Sequence, residues 1–301
     1  MSNIPFTVAM SVYKNDNPEY LKVALDSICE QSYLPDEIFL VEDGPLGEEL
    51  EDIIDSFSKK YPFFTIWKEK ENGGLGNALK IAVCNCRNEI ILRMDSDDIS
   101  APGRFERQIE EYQKDPVDVL GGWTLGFFDS LEEGDVSAFR PALTDKEIKA
   151  KFGHSSQISH VTVLMRKSAV LKSGNYVELF YHEDYYLWVR MIKAGCTFRN
   201  IPAYLVYVRC GREQAARHGG YKYYRAEKAL RKFMLNNGLT SFGCYIKEMY
   251  IMFIYQLIFS KKLRVYADMK LKRKLLNRDQ IDHILSCNVV TFSDMENGKN
   301  V

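Results

Sequence analysis

The stretch Ile90-Ile91-Leu92-Arg93-Met94-Asp95-Ser96-Asp97-Asp98 decides how this sequence reads. Ile90-Ile91-Leu92 is a short apolar run of the kind that forms a buried strand. Three carboxylates follow it within four residues. Carboxylates crowded at a strand end repel one another unless a cation sits among them. Hard oxygen ligands at this density suit Mg²⁺ or Mn²⁺, metals that commonly share their shell with phosphate oxygens. With Ser100, Pro102 and Gly103 close behind, the same residues also suit a plain turn and helix cap. The surrounding sequence has to decide between the two.

Upstream, strand-like and helix-like segments alternate. Phe6 to Tyr13 reads as a buried strand, and Asn15-Asp16-Asn17-Pro18 as a turn with Pro near the first helical position. Glu37 to Val41 and Phe63 to Trp67 read as further strands, with helices over 46–60 and 77–86 between the strands. Such alternation implies βαβ units and a parallel sheet, whose ligands bind beyond the carboxyl ends of the strands. Polar groups gather there: Ser11 and Tyr13 after the first strand, Asp43 after the second, Asp95 to Asp98 after the fourth.

Downstream, Val117 to Phe128 looks like strand material interrupted by Gly121-Gly122, and Val161 to Met165 like another strand. Glu183 to Ala194 is an amphipathic helix with Gly195 as its C′ residue. From about Gly219 the chain reads as all helix.

The chain has 301 residues, 46% apolar and 27% charged, which is ordinary globular composition. Its start carries no basic segment followed by an apolar run, so no secretory leader is expected. The seven scattered cysteines (29, 84, 86, 196, 210, 244, 287) read as free thiols in a reducing cytoplasm, and Cys84-Asn85-Cys86 has no second pair for zinc. Net charge is −1, yet residues 212–278 hold sixteen Lys/Arg against four Asp/Glu. A basic C-terminal third on an acidic body points to a polyanionic surface.

Six segments carry a resemblance: VAMSVYKND (8–16), VEDGP (41–45), ENGGLGNALK (71–80), ILRMDSDDIS (91–100), ISHVTVLMRKSAVLKSGNY (158–176) and HEDYYLWVRMIKAG (182–195). In this order the chain resembles the family 2 inverting glycosyltransferases of bacterial cell-surface polysaccharide type, over roughly residues 5–210. The resemblance implies the GT-A fold, an α/β architecture with a Rossmann-like, mixed but mostly parallel sheet flanked by helices. It places a glycosyltransferase domain at 1–215, with a donor-binding half at 1–100 and an acceptor half at 101–215. A helical, basic C-terminal extension occupies 216–301.

For matching positions the resemblance implies roles. Asp43 would hydrogen-bond a uracil ring, with Ser11 and Tyr13 lining the nucleoside pocket. Asp95-Ser96-Asp97 matches the family's DxD motif: Asp95 would touch the ribose or the metal's water shell, Asp97 would ligate Mn²⁺ or Mg²⁺ on the donor diphosphate, and Asp98 would support the metal or the sugar hydroxyls. Glu183-Asp184 matches the family's acidic pair, with Asp184 the catalytic base. The chemistry agrees. Transfer from a nucleotide sugar needs a stabilised leaving diphosphate and a carboxylate to take the acceptor's proton. In place of these roles, Asp184 also suits a helix dipole and Tyr13 a core position.

Other residues are assigned from the sequence with their alternatives. Asn72-Gly73-Gly74-Leu75-Gly76-Asn77 lacks the Lys-Ser/Thr of a P-loop, and reads as a tight turn that brings Asn72, Gly74 and Asn77 toward the donor. Arg93 either neutralises the aspartates from behind or makes a structural ion pair. His160 and His182 are structural or contact phosphate or acceptor. Arg209, Arg212, Arg217 and His218 close over the diphosphate or form a solvated basic turn. Met249 to Phe259 is almost wholly apolar but too short for a bilayer, which needs about 20 residues. It is either a packing helix or an interfacial one whose basic flank, with Lys270 to Lys274, meets anionic lipid.

The expected reaction is therefore transfer of a hexose or N-acetylhexosamine from a UDP-sugar to a saccharide acceptor, carried on a lipid diphosphate. The expected location is cytoplasmic, peripheral on the inner face of the cytoplasmic membrane, with no nucleic-acid partner because no recognition motif accompanies the basic residues. Two rival classes fit the residues less well. A nucleotidyltransferase would want a glycine-rich basic loop near the N-terminus, which 11–18 does not supply. A phospho-receiver-like module is far shorter and has no use for Glu183-Asp184.

Overall fold

The computed structural model describes residues 4–128, 130–131, 135–210, 219–267 and 274–286. Strands β1 (Phe6–Val12), β2 (Glu37–Glu42), β3 (Phe64–Lys68) and β4 (Ile90–Arg93) alternate with helices α1 (Pro18–Cys29), α2 (Glu48–Lys60) and α3 (Leu75–Asn85). The four strands pair in parallel in the order β4-β1-β2-β3. Their carboxyl ends consequently share one edge of the sheet. Pro18 opens α1 behind Asn17, whose side chain accepts from Glu19 N and Tyr20 N.

Beyond β4 the sheet becomes mixed. The elements are β5 (Ile99–Ser100), α4 (Arg104–Lys114), β6 (Val119–Phe127), β7 (Val136–Phe139), α5 (Asp145–Lys151), β8 (Leu164–Arg166), α6 (Lys167–Lys172), α7 (Glu183–Lys193) and β9 (Phe198–Arg209). β8 joins β4 to β6 by antiparallel pairing, and β6 also takes β7 antiparallel and β9 parallel. The fold is α/β of the expected type, a mostly parallel sheet between helical layers.

Alternate residues of β1 face opposite layers. Phe6, Val8, Met10 and Val12 pack with Leu25 of α1, Ile54 of α2 and Phe105 of α4. Ala9 faces the other layer, with Leu79 of α3 and Trp188 of α7. Both faces are covered, so the central strands are apolar on both sides.

Three expectations change. Gly121-Gly122 does not interrupt the strand. β6 runs through it with a register shift at Trp123, and the two glycines make room for the side chains of Asn200 and Leu205. Residues 161–165 are not one strand. His160–Thr162 makes a 3₁₀ turn before β8, because Arg104 and Gln108 take the carbonyls of Val161 (2.9 Å) and Thr162 (2.8 Å) that a ladder would have used. The C-terminal region is not all helix. Helices α8 (Tyr221–Asn236), α9 (Phe242–Phe253), α10 (Lys261–Ala267) and α11 (Arg278–Ser286) are present, with a π-helical turn at Ile254–Ile258. Between the last two helices, β10 (Lys274–Leu275) pairs antiparallel with Ala138 and Ser137 of β7. Arg212, Arg217, His218, Cys287 and residues 270–273 lie outside the described residues.

The C-terminal helices pack on the sheet domain. Leu230 and Met234 of α8 join the core layer of α7. Beside them, buried Glu227 accepts from Arg231 Nε at 2.6 Å and pairs with His182, the residue that precedes α7. Burial alone would raise the Glu227 pKa, but the hydrogen bond from His182 and the Arg231 charge outweigh it and hold the carboxyl down at about 2. Because this pKa is depressed, its stabilisation is complete above the ordinary glutamate range and is lost as pH falls toward 2. Glu227→Gln should therefore cost about 3 kcal/mol at pH 7, as broken buried ion pairs do. In urea titrations the gap from wild type should narrow as pH drops below about 4.5. A gap independent of pH would mean the carboxylate charge contributes nothing.

Candidate active site

A cavity of about 490 Å³ opens at the carboxyl edge of the sheet. Arg93, Asp95, Asp97 and Asp98 form one side of its lining, Glu183 and Asp184 another. Residues Ser137 to Phe139 of β7 and Val208 to Cys210 at and after the end of β9 complete the wall. Two acidic groups separated by more than 80 residues in sequence thus meet across one space.

The carboxylates of Asp95, Asp97 and Asp98 present oxygen atoms within 4.8 Å of one another. They are held differently. Asp95 makes a two-pronged ion pair with Arg93, which is only 3% exposed. Asp98 is buried and its Oδ1 accepts from Arg209 N at 2.9 Å. Among the described residues Asp97 makes no side-chain hydrogen bond, although Arg209 Nε donates to its carbonyl at 3.2 Å. Burial, then repulsion from Asp95 and Asp97, pushes the Asp98 carboxyl well up. Asp97 stays open to the cavity, yet the protein around it strips away water, and Asp95 and Asp16 repel it; its pKa rises to about 6.

This donor set fits a hard divalent cation. All ligand atoms are carboxylate oxygens, and among the described residues the Asp97 side chain has no competing hydrogen-bond partner.

On the facing wall, Glu183 and Asp184 occupy the first turn of α7. Burial raises both carboxyl pKa values, and for Glu183 the charge of Asp184 adds to it. A raised carboxylate pKa makes a stronger general base. His160 also reaches the cavity, its Nε2 2.7 Å from the Tyr176 hydroxyl. Burial and the nearby Arg93 charge keep it neutral. His182 points away, into the pair with Glu227.

The remaining donor-side residues stand at neighbouring strand ends, outside the cavity lining. Ser11 and Tyr13 are half-buried at and just after the end of β1. Asp43, after β2, is buried and committed to the glycine loop. Its Oδ1 accepts from Gly73 N at 2.7 Å, and its Oδ2 from Asn72 Nδ2 and Gly74 N, both at 2.9 Å. Gly44 allows this approach: its φ is +86°, and a Cβ there would sit 2.7 Å from Asn72 N. Asn77 is exposed at the start of α3, its amide folded back over Gly73.

Residues 7–174 match the family described as glycosyl transferase family 2. The chain belongs to this family. Among its relatives is the amylovoran biosynthesis glycosyltransferase AmsE of Erwinia amylovora, 34% identical over 79% of this chain and 88% of the relative. Another is the UDP-Gal:alpha-D-GlcNAc-diphosphoundecaprenol beta-1,3-galactosyltransferase of Escherichia coli, 32% identical over 72% and 78%. Among solved structures, S. aureus TarS 1-349 in complex with UDP-GlcNAc superposes with a TM-score of 0.62. That match covers 89% of this chain and 77% of the other at 17% identity, which speaks for a shared fold. Family membership removes the two rival classes.

Two residues that the sequence did not single out brace the acidic loop of the glycosyltransferase. Asp16, in what reads as a turn, accepts from Ser96 Oγ at 2.8 Å and from Tyr13 N at 3.1 Å. It therefore joins the end of β1 to the acidic loop, and burial lifts its pKa to about 6. Arg104 is the first residue of α4 and is buried, donating to the carbonyls of Arg93 (2.8 Å) and Val161 (2.9 Å). Burial first, then the Arg93 charge, lowers its pKa to about 9.

The acidic loop makes stability depend on pH. Asp97 ionises near 6 in the folded protein and near 4 when unfolded. A raised pKa of this kind stabilises the fold at low pH and loses that contribution as pH climbs through about 6. Without divalent metal, Asp97→Asn should thus melt above wild type at pH 7, with the difference closing below pH 4. A lower melting temperature for the variant at pH 7 would show that the carboxylate is not under strain where it sits.

Proposed function

We propose that this glycosyltransferase moves a hexose or N-acetylhexosamine from a UDP-sugar to a hydroxyl of a saccharide carried on a lipid diphosphate, inverting the anomeric carbon. The observation that carries the reading is the meeting of the Asp95–Asp98 loop and the Glu183-Asp184 pair across one cavity. The names of the galactosyltransferase and amylovoran relatives support the donor, the acceptor and a role in building cell-surface polysaccharide.

In this reading Asp97 is the principal ligand of Mn²⁺ or Mg²⁺, since Asp95 is engaged by Arg93 and Asp98 by Arg209. The bound ion would neutralise the charge developing on the leaving diphosphate. Asp43 and the 72–77 loop, with Ser11 and Tyr13, hold the nucleoside, and Asp95 faces its ribose. Asp184 accepts the proton of the acceptor hydroxyl as its oxygen attacks the anomeric carbon and the bond to the diphosphate breaks on the opposite face. Burial disfavours ionisation of Asp184 and so strengthens it as a base.

The lipid-linked acceptor brings the enzyme to a membrane, and the C-terminal helices suit that surface on the cytoplasmic side. No helix among the described residues is long and apolar enough to cross a bilayer. Instead, α9 buries only Glu248 and Met249. Its outer face carries Phe242, Ile246, Tyr250 and Phe253, with Phe242 and Tyr250 about two-thirds exposed. Ile258 and Leu263, in the segments that follow, are exposed as well, and so are Lys247, Lys261 and Lys262. An apolar strip rimmed by lysines is the chemistry of an interfacial helix on anionic lipid.

Asp184→Asn should abolish transfer, read as UDP release with a lipid-diphosphate-linked acceptor, while UDP-sugar affinity stays within about threefold. Sustained turnover would remove Asp184 from the role of base. Asp97→Ala should make UDP binding insensitive to Mn²⁺; an unchanged metal titration would move the ligand elsewhere. Ile246→Glu with Tyr250→Glu should release the enzyme from sedimenting anionic vesicles without altering turnover of a water-soluble acceptor. Co-sedimentation equal to wild type would rule out this face.

A further inference from the structure

We propose that His154, Cys244 and Glu248 form a second metal site, for a thiophilic divalent ion of the Zn²⁺ class. None of the three lines the acidic cavity. Cys244 and Glu248 are four residues apart on α9, so their side chains share its inner face. His154 reaches them from the loop that follows α5.

Their donor atoms all lie within 4.8 Å of one another. His154 Nδ1 is 2.9 Å from Glu248 Oε1 and 3.8 Å from Cys244 Sγ. Around a tetrahedral zinc, bond lengths near 2.1 Å to nitrogen and oxygen and 2.3 Å to sulfur put neighbouring donors about 3.3–3.6 Å apart. The two edges from His154 need only sub-ångström adjustment to reach that spacing, and the Cys244–Glu248 edge closes from no more than 4.8 Å. Imidazole, thiolate and carboxylate together are a zinc donor set, and are unlike the all-oxygen set of the cavity.

The surroundings suit a cation. Glu248 is 6% exposed, with its Oε1 2.9 Å from His154 Nδ1 and the Arg231 charge nearby, so the carboxylate is held ready inside the protein. The Cys244 thiol donates to Gly153 O at 3.5 Å, a weak bond that a metal would replace once the thiol proton leaves. Thr240 Oγ1, buried without a hydrogen-bond partner, borders the same glycine and can bind a water that completes the shell. His154 keeps one side of the site open to solvent.

Metal here would pin α9 to the loop after α5. Arg231 already ties α8 to that loop, donating to His154 O at 3.1 Å. The ion would therefore stiffen the base on which the exposed face of α9 stands.

The test uses the full chain, stripped of metal, with Co²⁺ as the probe. One equivalent should produce a thiolate-to-cobalt charge-transfer band in the near ultraviolet that Zn²⁺ then displaces. Cys244→Ser should lose the band, and His154→Ala should weaken Co²⁺ binding about tenfold or more. Asp97→Ala, which disables the acidic cavity, should leave the band intact. The absence of a thiolate band in wild type, or its survival in Cys244→Ser, overturns the proposal. Should Cys244→Ser fail to fold, an undiminished band in His154→Ala, a change at an exposed residue, does the same.

Discussion

Everything at the cavity depends on the ion pair between Arg93 and Asp95. Three carboxylates and a fourth, Asp16, crowd one strand end, and their mutual repulsion would open the loop if nothing opposed it. Arg93 supplies the opposing charge from within the sheet, at the last residue of β4. Arg104 fixes the Arg93 carbonyl from the far side, so the guanidinium is aimed as well as charged. Arg209 closes the loop from the end of β9 through two hydrogen bonds, and stacks on Tyr20 and Phe127. The arrangement neutralises part of the charge and leaves Asp97 facing the space where a cation and a diphosphate would meet.

The opposite wall is anchored by a different device. Glu183 and Asp184 start α7, and the residue before them, His182, is locked to Glu227 and Arg231 of α8. The C-terminal helices are therefore coupled to the acidic pair through one buried network. This explains why a region that reads as an appendage contributes core residues such as Leu230 and Met234. It also places the exposed face of α9 on a rigid support.

Much of this was legible before the fold was known. Apolar strands alternating with amphipathic helices mark a parallel sheet, and a parallel sheet collects its polar strand ends on one edge. Asp43 and Asp95 to Asp98 stand out that way, whereas Asp184, at a helix start, stands out only through the family resemblance of residues 182–195. Asp16 does not stand out, because Asn15-Asp16-Asn17-Pro18 has all the local chemistry of a turn, and only the pairing of β1 with β4 brings it to Ser96. Arg104 was hidden because an arginine in a helix's first turn ordinarily faces water. The 3₁₀ turn at His160 depends on carbonyl partners more than 50 residues away. His154 is separated from Cys244 by 90 residues, so only the fold brings them together.

The two-residue strand β10 has a consequence for the life of the nascent chain. It pairs with Ser137 and Ala138, the backbone that walls the cavity, and so covers what would otherwise be a bare sheet edge. Until residue 275 has cleared the ribosome, a newly made molecule carries an open edge beside its own unfinished catalytic pocket. Protection against edge-to-edge aggregation therefore comes only after the whole sheet domain and most of the C-terminal helices have been made.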